Sequence, residues 1–225
     1  MMTPNDHSIE VYYFKFSPPS RSALLLAKAL GLKPNIIITN MTAGDHMKPE
    51  FLKMNPMHTI PVIKDNGFTL YDSQAIMIYL VNQYGKDDSL YPRDPKKAAI
   101  VNLRLFFNAS YLSPKFNAHH AAIILGRNPP DDAQKNLEDV LQHLNNFLET
   151  SPFVAGQNIT IADFSIIGVI STIDACGAID LSAYPNIWKW YQKAQKAMEG
   201  FGYEEVMQDG ANAYGEAFKN AIAKL

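Results

Sequence analysis

Cysteine is almost missing from this sequence. Cys176 is the single one among 225 residues, so no intramolecular disulfide can form and the chain has no need of an oxidising compartment. Long apolar runs are missing too, and none approaches the roughly 18 residues that a membrane span needs. Met1 to Glu10 is polar and carries two acids, without the basic and apolar regions of a signal peptide. A cytoplasmic protein with no membrane partner is expected. An excess of either charge is likewise absent. The formal net charge of -2 gives no field to gather nucleic acid or anionic lipid, which leaves a small molecule as the expected partner. What is present is ordinary globular composition, 47% hydrophobic and 19% charged, which argues against disorder. The length suits one large domain or two small ones around a sizeable core.

Val11-Tyr12-Tyr13-Phe14 reads as a buried strand. Ser17-Pro18-Pro19-Ser20 breaks it, because prolines cannot continue a ladder but fit a helix's first turn. Arg21 to Leu30 reads as helix, stopped by Gly31, and Asn35 to Asn40 as a second strand. The chain therefore opens β-α-β, which favours a parallel pair with a right-handed crossover. A short helix is expected around Glu50 to Met54. Ile60 to Ile63 and Phe68 to Leu70 flank an Asn66-Gly67 hairpin signal. Asp72-Ser73 begins a helix that runs to about Tyr84, with Gly85 as its stop. This order is that of a thioredoxin-like α/β domain, placed at residues 9–86. The polar stretch 87–94 reads as a linker. Residues 95–225 read as an all-α helical domain, with helices expected over 96–120, 131–149, 161–176, 185–198 and 213–224.

Three groups of residues could carry chemistry. Ser17 stands at a helix N-terminus, where free N–H groups and the dipole favour an anion. A plain N-cap explains it equally well. It lacks the Gly-x-Ser-x-Gly elbow and an assignable histidine base of a hydrolase nucleophile, so donation to a ligand anion is its better use. His58-Thr59-Ile60-Pro61 fits a cis turn that exposes the backbone of Ile60 to an extended peptide, or an ordinary edge-strand start. Asp72-Ser73-Gln74 fits either a clamp for an amino-acid group or a helix cap. Together they place a thiol-sized anion site, a peptide-pairing edge and an amino-acid clamp on one rim, which suits a γ-glutamyl peptide with a cysteine. His119-His120 does not read as a metal site, since adjacent helical residues face different directions and no carboxylate is spaced with them. Thr160 and Asp163 form a capping box. Arg21 reads as structural, Trp188, Trp190 and Tyr191 as packing residues, and Cys176 as an inert buried thiol.

The sequence resembles the cytosolic glutathione transferases of the insect delta/epsilon type, the epsilon side favoured. The resemblance is carried by Ser17-Pro18-Pro19-Ser20-Arg21-Ser22, Ala43-Gly44-Asp45-His46, Asn55-Pro56-Met57-His58-Thr59-Ile60-Pro61, Asp72-Ser73-Gln74-Ala75-Ile76, Asp88-Ser89-Leu90-Tyr91-Pro92 and Thr160-Ile161-Ala162-Asp163. It implies that Ser17 is the catalytic serine, that His46 and His58 lie near the glycyl end of glutathione, and that Thr59 and Ile60, ahead of cis-Pro61, meet its cysteinyl part. Asp72, Ser73 and Gln74 would hold the γ-glutamyl group. Gln74 stands where the family usually has Arg or His, which weakens that part of the clamp, and Met57 replaces the usual Gln. The implied acceptor site is apolar and lies between the domains, with Phe16, Pro19, Phe107, Tyr111 and Phe116 as candidates and Phe201 and Tyr203 to close it. The spacing of Phe107 and Tyr111 is equally that of core packing. The implied activity is conjugation of the glutathione thiolate to hydrophobic electrophiles in detoxification, with dehydrochlorinase, peroxidase and steroid-directed activities also within reach. A homodimer without metal is implied. The alternative is a glutathione or hydrophobic-ligand binder of the same fold without efficient turnover; a structural, translation-complex role is disfavoured by Ser17, His58 and Asp72.

Overall fold

A computed structural model describes residues 9–224. The first layer is a four-stranded mixed sheet of β1 (Ile9–Tyr13), β2 (Asn35–Ile38), β3 (Val62–Asp65) and β4 (Phe68–Tyr71), in the order β2-β1-β3-β4. β1 pairs parallel with β2 and antiparallel with β3, which pairs antiparallel with β4. The intervening helices are α1 (Pro18–Ala29), α2 (Pro49–Met54) and α3 (Ser73–Tyr84). Ile9, Val11 and Tyr13 alternate onto a buried face shared with α1 and α3, while Phe51, Ile60 and Val62 form a smaller apolar cluster. The result is a thioredoxin-like domain followed by a helical one, as the sequence leads one to expect.

Boundaries shift for identifiable reasons. α1 begins at Pro18 rather than Arg21, because both prolines occupy first-turn positions where no intrahelical N–H bond is required. β3 begins at Val62 rather than Ile60, since Pro61 offers no ladder donor. Asn66 at φ 47° and Gly67 at φ 88° make the tight turn between β3 and β4. Asp65 accepts from Tyr79 at 2.6 Å and also from Tyr84, which ties α3 to this hairpin.

The helical domain comprises α4 (Pro95–Phe107), α5 (Ser113–Phe116), α6 (Ala122–Ile124), α7 (Ala133–Phe147), α8 (Ile161–Cys176), α9 (Pro185–Met198) and α10 (Asp209–Ile222). The expected single helix over 96–120 is broken by π-helical turns at Asn108–Leu112 and Asn117–Ala121. The first accompanies Asn108 turning inward to donate to the Ser165 carbonyl at 3.1 Å and hydroxyl at 2.7 Å. The second widens the spiral so that His119 and His120 are both buried, with their Nδ1 atoms 3.1 Å apart. They are core residues. Among the described residues no group of His, Cys, Asp and Glu is arranged to hold a metal ion, and no helix is long and apolar enough to cross a membrane.

α8 is the central strut, buried along nearly its whole length. Its capping box is formed, with Thr160 N donating to Asp163 Oδ2 at 2.8 Å. Asp163 Oδ1 also accepts from Val154 N at 3.0 Å and Trp190 Nε1 at 2.8 Å, so the box anchors the preceding loop and α9 as well. Burial pushes the Cys176 thiol up to about 12, which leaves it inert as a nucleophile.

α1 is held to the helical domain by Arg21, which is fully buried. Nη1 donates to the Met207 carbonyl at 2.6 Å, and Nη2 to Thr172 Oγ1 at 2.5 Å and the Gly168 carbonyl at 3.4 Å. Glycines make the approach close enough. A Cβ on Gly168 would lie 2.6 Å from Ser22 Oγ, and one on Gly210 would strike Arg21 Cδ and come within 2.7 Å of the Lys15 backbone oxygen. Gly210→Ala, which in an exposed helix would stabilise, is expected here to cost about 2 kcal/mol by overpacking. Urea unfolding of the variant checks the sign.

Burial, with the neighbouring His119 adding to it, pushes His120 down to about 3. An unfolded imidazole titrates near 6.5. As pH falls, the unfolded chain takes up the proton first, so this histidine removes stability progressively from about 6.5 to about 3. His120 is sandwiched between Phe116 at 4.9 Å and Phe218 at 4.8 Å, a slot that phenylalanine fills. His120→Phe should flatten the fall of unfolding free energy over that range by about 1.4 kcal/mol per pH unit. Urea melts at stepped pH read this directly, and an unchanged slope contradicts it.

Candidate active site

The sheet register collects the residues singled out from sequence. Val62 pairs with Tyr12 on one side and Tyr71 on the other. The segment after β1, the segment before β3 and the start of α3 therefore meet at one end of the sheet, which brings Ser17, Ile60-Pro61 and Asp72-Ser73 to a common rim.

Ser17 is the N-cap of α1 and is half-buried. Its Oγ accepts from Ser20 N at 3.3 Å, and its own N–H donates to the Phe14 carbonyl at 2.9 Å. The capping bond uses a lone pair and leaves the hydroxyl proton without an acceptor among the described residues. Capping and donation to an anion are thus compatible. Pro18 and Pro19 remove two first-turn N–H donors, so the hydroxyl carries more of any anion contact than backbone amides do.

The Ile60-Pro61 bond is cis. Ile60 precedes β3, and its backbone N–H and C=O take no partner among the described residues, leaving an edge for an extended peptide. Asn55, a buried residue that sequence reasoning left without a role, organises this loop. Its Nδ2 donates to the Thr59 carbonyl at 2.8 Å and hydroxyl at 3.0 Å, and its Oδ1 accepts from Met57 N at 2.9 Å. The Thr59 side chain is thereby engaged from within the loop. His58 sits at φ 48° and is exposed. Its ring lies 6.1 Å from that of half-buried His46, whose Nδ1 is buried without a partner.

Asp72 caps α3 at φ 73°, with Oδ1 accepting from Gln74 N at 2.9 Å and Ala75 N at 3.1 Å. Ser73 is buried beside it. The Gln74 side chain turns toward the helical domain, where Oε1 accepts from Ser165 Oγ at 2.8 Å. Ser165 in turn accepts from Asn108, whose Oδ1 accepts from Ser113. A chain of neutral hydrogen bonds thus runs from the start of α3 through α8 to α5.

The acceptor-side candidates separate into groups. Half-buried Phe16 packs edge-on against Phe14 at 5.3 Å and Tyr214 at 6.3 Å, while Phe116, 2% exposed, packs against Tyr214 at 5.7 Å. Tyr214, which sequence reasoning did not single out, links these two; its only sequence signal is the helical spacing to Phe218. Phe107 and Tyr111 stack at 6.2 Å, the first buried against Phe147 and the second 59% exposed. Pro19 is half-buried at the first turn of α1. Phe201 stacks on Phe164 at 6.2 Å. Tyr203 is buried, its hydroxyl 3.4 Å from that of Tyr191 and within bonding distance of Gln195 and Gln208. Phe16 and Phe116 are therefore brought together through Tyr214, whereas Tyr203 belongs to the packing around Tyr191.

This arrangement has relatives. Residues 16–83 match the glutathione S-transferase N-terminal domain and residues 115–193 its C-terminal domain. A delta-class glutathione transferase of Nilaparvata lugens superposes with a TM-score of 0.89 at 47% identity, covering 95% of this chain and 99% of that one. An epsilon-class enzyme of Musca domestica gives 0.88 at 35% identity over 95% and 98%. A glutathione transferase homologue of Drosophila mojavensis, whose structure holds glutathione, gives 0.88 at 33% over 96% and 98%. The delta-class identity exceeds the epsilon-class one, whereas the sequence alone leans to epsilon. On matched domains, fold and identity over nearly its full length, the chain belongs to the glutathione transferase family.

Proposed function

We propose that this chain conjugates the thiolate of glutathione to hydrophobic electrophiles, with Ser17 as the catalytic residue. The observation that carries the reading is the free hydroxyl proton of Ser17 on the same rim as the unpaired backbone of Ile60 and the capped start of α3. In this reading Ile60 pairs with the cysteinyl part of glutathione beside Pro61 and Thr59. Asp72, through the carboxylate oxygen not used in capping, takes the γ-glutamyl ammonium, with Ser73 beside it. His46 and His58 take the glycyl carboxylate, which would satisfy the orphaned Nδ1 of His46. A free thiol is mostly protonated at neutral pH, while the thiolate is the nucleophile. Donation from Ser17 to sulfur at the N-terminus of α1 favours the anion, and each pKa unit corresponds to about 1.4 kcal/mol. The electrophile then meets the sulfur beside Phe16 and Phe116.

A homodimer fits the reading. Ile100, Leu103 and Phe106 lie at helical spacing on α4, 43%, 53% and 65% exposed, and a second copy is the partner we propose for that face. The physiological form of the proposal is cytoplasmic detoxification, with insecticides among the candidate electrophiles and dehydrochlorination, peroxide reduction and steroid conversion as variants of the same thiolate chemistry.

One observation favours a second reading, a binder that holds glutathione or hydrophobic ligands without efficient turnover. Gln74 Oε1 is taken by Ser165, so only its Nε2 is left toward the γ-glutamyl group. Retention on glutathione-agarose without conjugation of 1-chloro-2,4-dinitrobenzene selects that reading. If the transferase reading holds, Ser17→Ala lowers kcat/KM for this substrate at pH 6.5 by about 10- to 100-fold, as expected for loss of a hydrogen bond to an anion. The dissociation constant of glutathione then changes by less than about threefold. Turnover equal to wild type removes Ser17 from the mechanism. Ser165→Ala cuts the relay to Gln74 and is expected to weaken glutathione binding by about two- to fivefold, measured by calorimetry.

A further inference from the structure

Methionine has no part in the steps above, yet its placement is uneven. Met77, Met198 and Met207 are fully buried, and Met41 and Met54 are half-buried against the cluster of Phe51, Ile60 and Val62. Met47 and Met57 are the exposed ones among the described residues, at 52% and 61%. Each adjoins a histidine assigned above to the glycyl carboxylate. Met47 follows His46 at the end of the short 3-10 turn Asp45–Met47, and Met57 precedes His58 in the loop that Asn55 organises. The two histidine rings lie 6.1 Å apart, so the exposed methionines flank a single histidine pair.

An exposed thioether is open to hydroperoxides, whereas a buried one is screened. Oxidation turns a flexible apolar side chain into a polar sulfoxide. The sulfoxide oxygen accepts hydrogen bonds and carries partial negative charge. In the reading above the glycyl carboxylate takes its donors from the same histidines, where His46 Nδ1 is otherwise without a partner. A sulfoxide next to them competes for those donors and sets a negative oxygen near the anion.

We propose that Met47 and Met57 form a modification site for hydroperoxides, and that their oxidation lowers the affinity of the rim for glutathione. This rests on the glutathione-binding reading above. In the step a sulfur lone pair attacks one peroxide oxygen and the O–O bond breaks. That oxygen stays on sulfur, and its proton passes to the departing oxygen, which leaves as water or an alcohol. Sulfur loses two electrons and the peroxide gains them. A dithiol acting through methionine sulfoxide reductase reverses the change, becoming a disulfide while the oxygen leaves as water.

Hydrogen peroxide is the probe. By peptide mass spectrometry, treated wild-type protein should gain one oxygen on Met47 and Met57 before Met77, Met198 or Met207. At that stage the dissociation constant of glutathione, measured by calorimetry, should rise about three- to tenfold. Both methionine sulfoxide reductases with dithiothreitol should restore it. The double variant Met47→Leu, Met57→Leu keeps the apolar volume and resists oxidation. Untreated, it should bind glutathione within about twofold of wild type, and it should hold that affinity through the same treatment. Met41 and Met54 remain in it, so damage elsewhere lowers the variant's affinity as well. Unchanged affinity with both residues oxidised, an equal loss in the variant, or earlier oxidation of the buried methionines overturns the proposal. If untreated wild-type protein binds no glutathione, the underlying reading fails and the proposal falls with it, an outcome seen before any peroxide is added.

Discussion

A single buried guanidinium decides where the two halves of this molecule stand. Arg21 lies one helical turn beyond Ser17, and its own N–H donates to the Ser17 carbonyl at 3.1 Å. Its side chain reaches out of α1 to α8 and to the Met207 carbonyl. No carboxylate pairs with it among the described residues. Burial lowers its pKa to about 10, so the charge persists at neutral pH, held by neutral oxygens. An unpaired buried charge costs several kcal/mol. The fold tolerates it because α8 supplies Thr172 and the Gly168 carbonyl at the required closeness, which a side chain at Gly168 or Gly210 would prevent.

The geometry of the rim follows from this anchor and from the register of the sheet. α1 cannot shift against the helical domain without breaking the Arg21 bonds, so Ser17, Phe16 and the aromatic groups of Tyr214 and Phe116 keep a fixed relation. The other end of the rim is fastened differently. Gln74 reaches Ser165, and Ser165 reaches Asn108, through hydrogen bonds without charge. The starts of α1 and α3 are each tied to α8, one by a cation and one by an amide.

Much of this was legible because it is local. Ser17 before two prolines, Asn66-Gly67 between apolar runs, Gly31 after α1 and Thr160 with Asp163 each act over a few residues, and each performs its expected local role. The cis bond before Pro61 is of the same kind. What stayed illegible depends on partners distant in sequence. Gln74 looks like a weakened ligand contact until Ser165, 91 positions away, is seen to hold it. Tyr214 is one aromatic among many on a helical period until its ring is placed against Phe16. The π turns in the long helix have no residue signature, since they come from Asn108 and the paired histidines being drawn into the core. Asn55 reads as a loop residue, and only its burial marks it as the organiser of that loop.

The central claim is that a hydroxyl held at the start of α1 lowers the pKa of a bound thiol. Titrating the ultraviolet absorbance of the thiolate in the glutathione complex measures that quantity without an electrophile. In the wild-type protein the bound thiol should ionise at least about one pH unit below the ordinary cysteine value near 8.5, and in Ser17→Ala it should return close to that value. Identical titrations in the two proteins, with glutathione bound in both, would contradict the account.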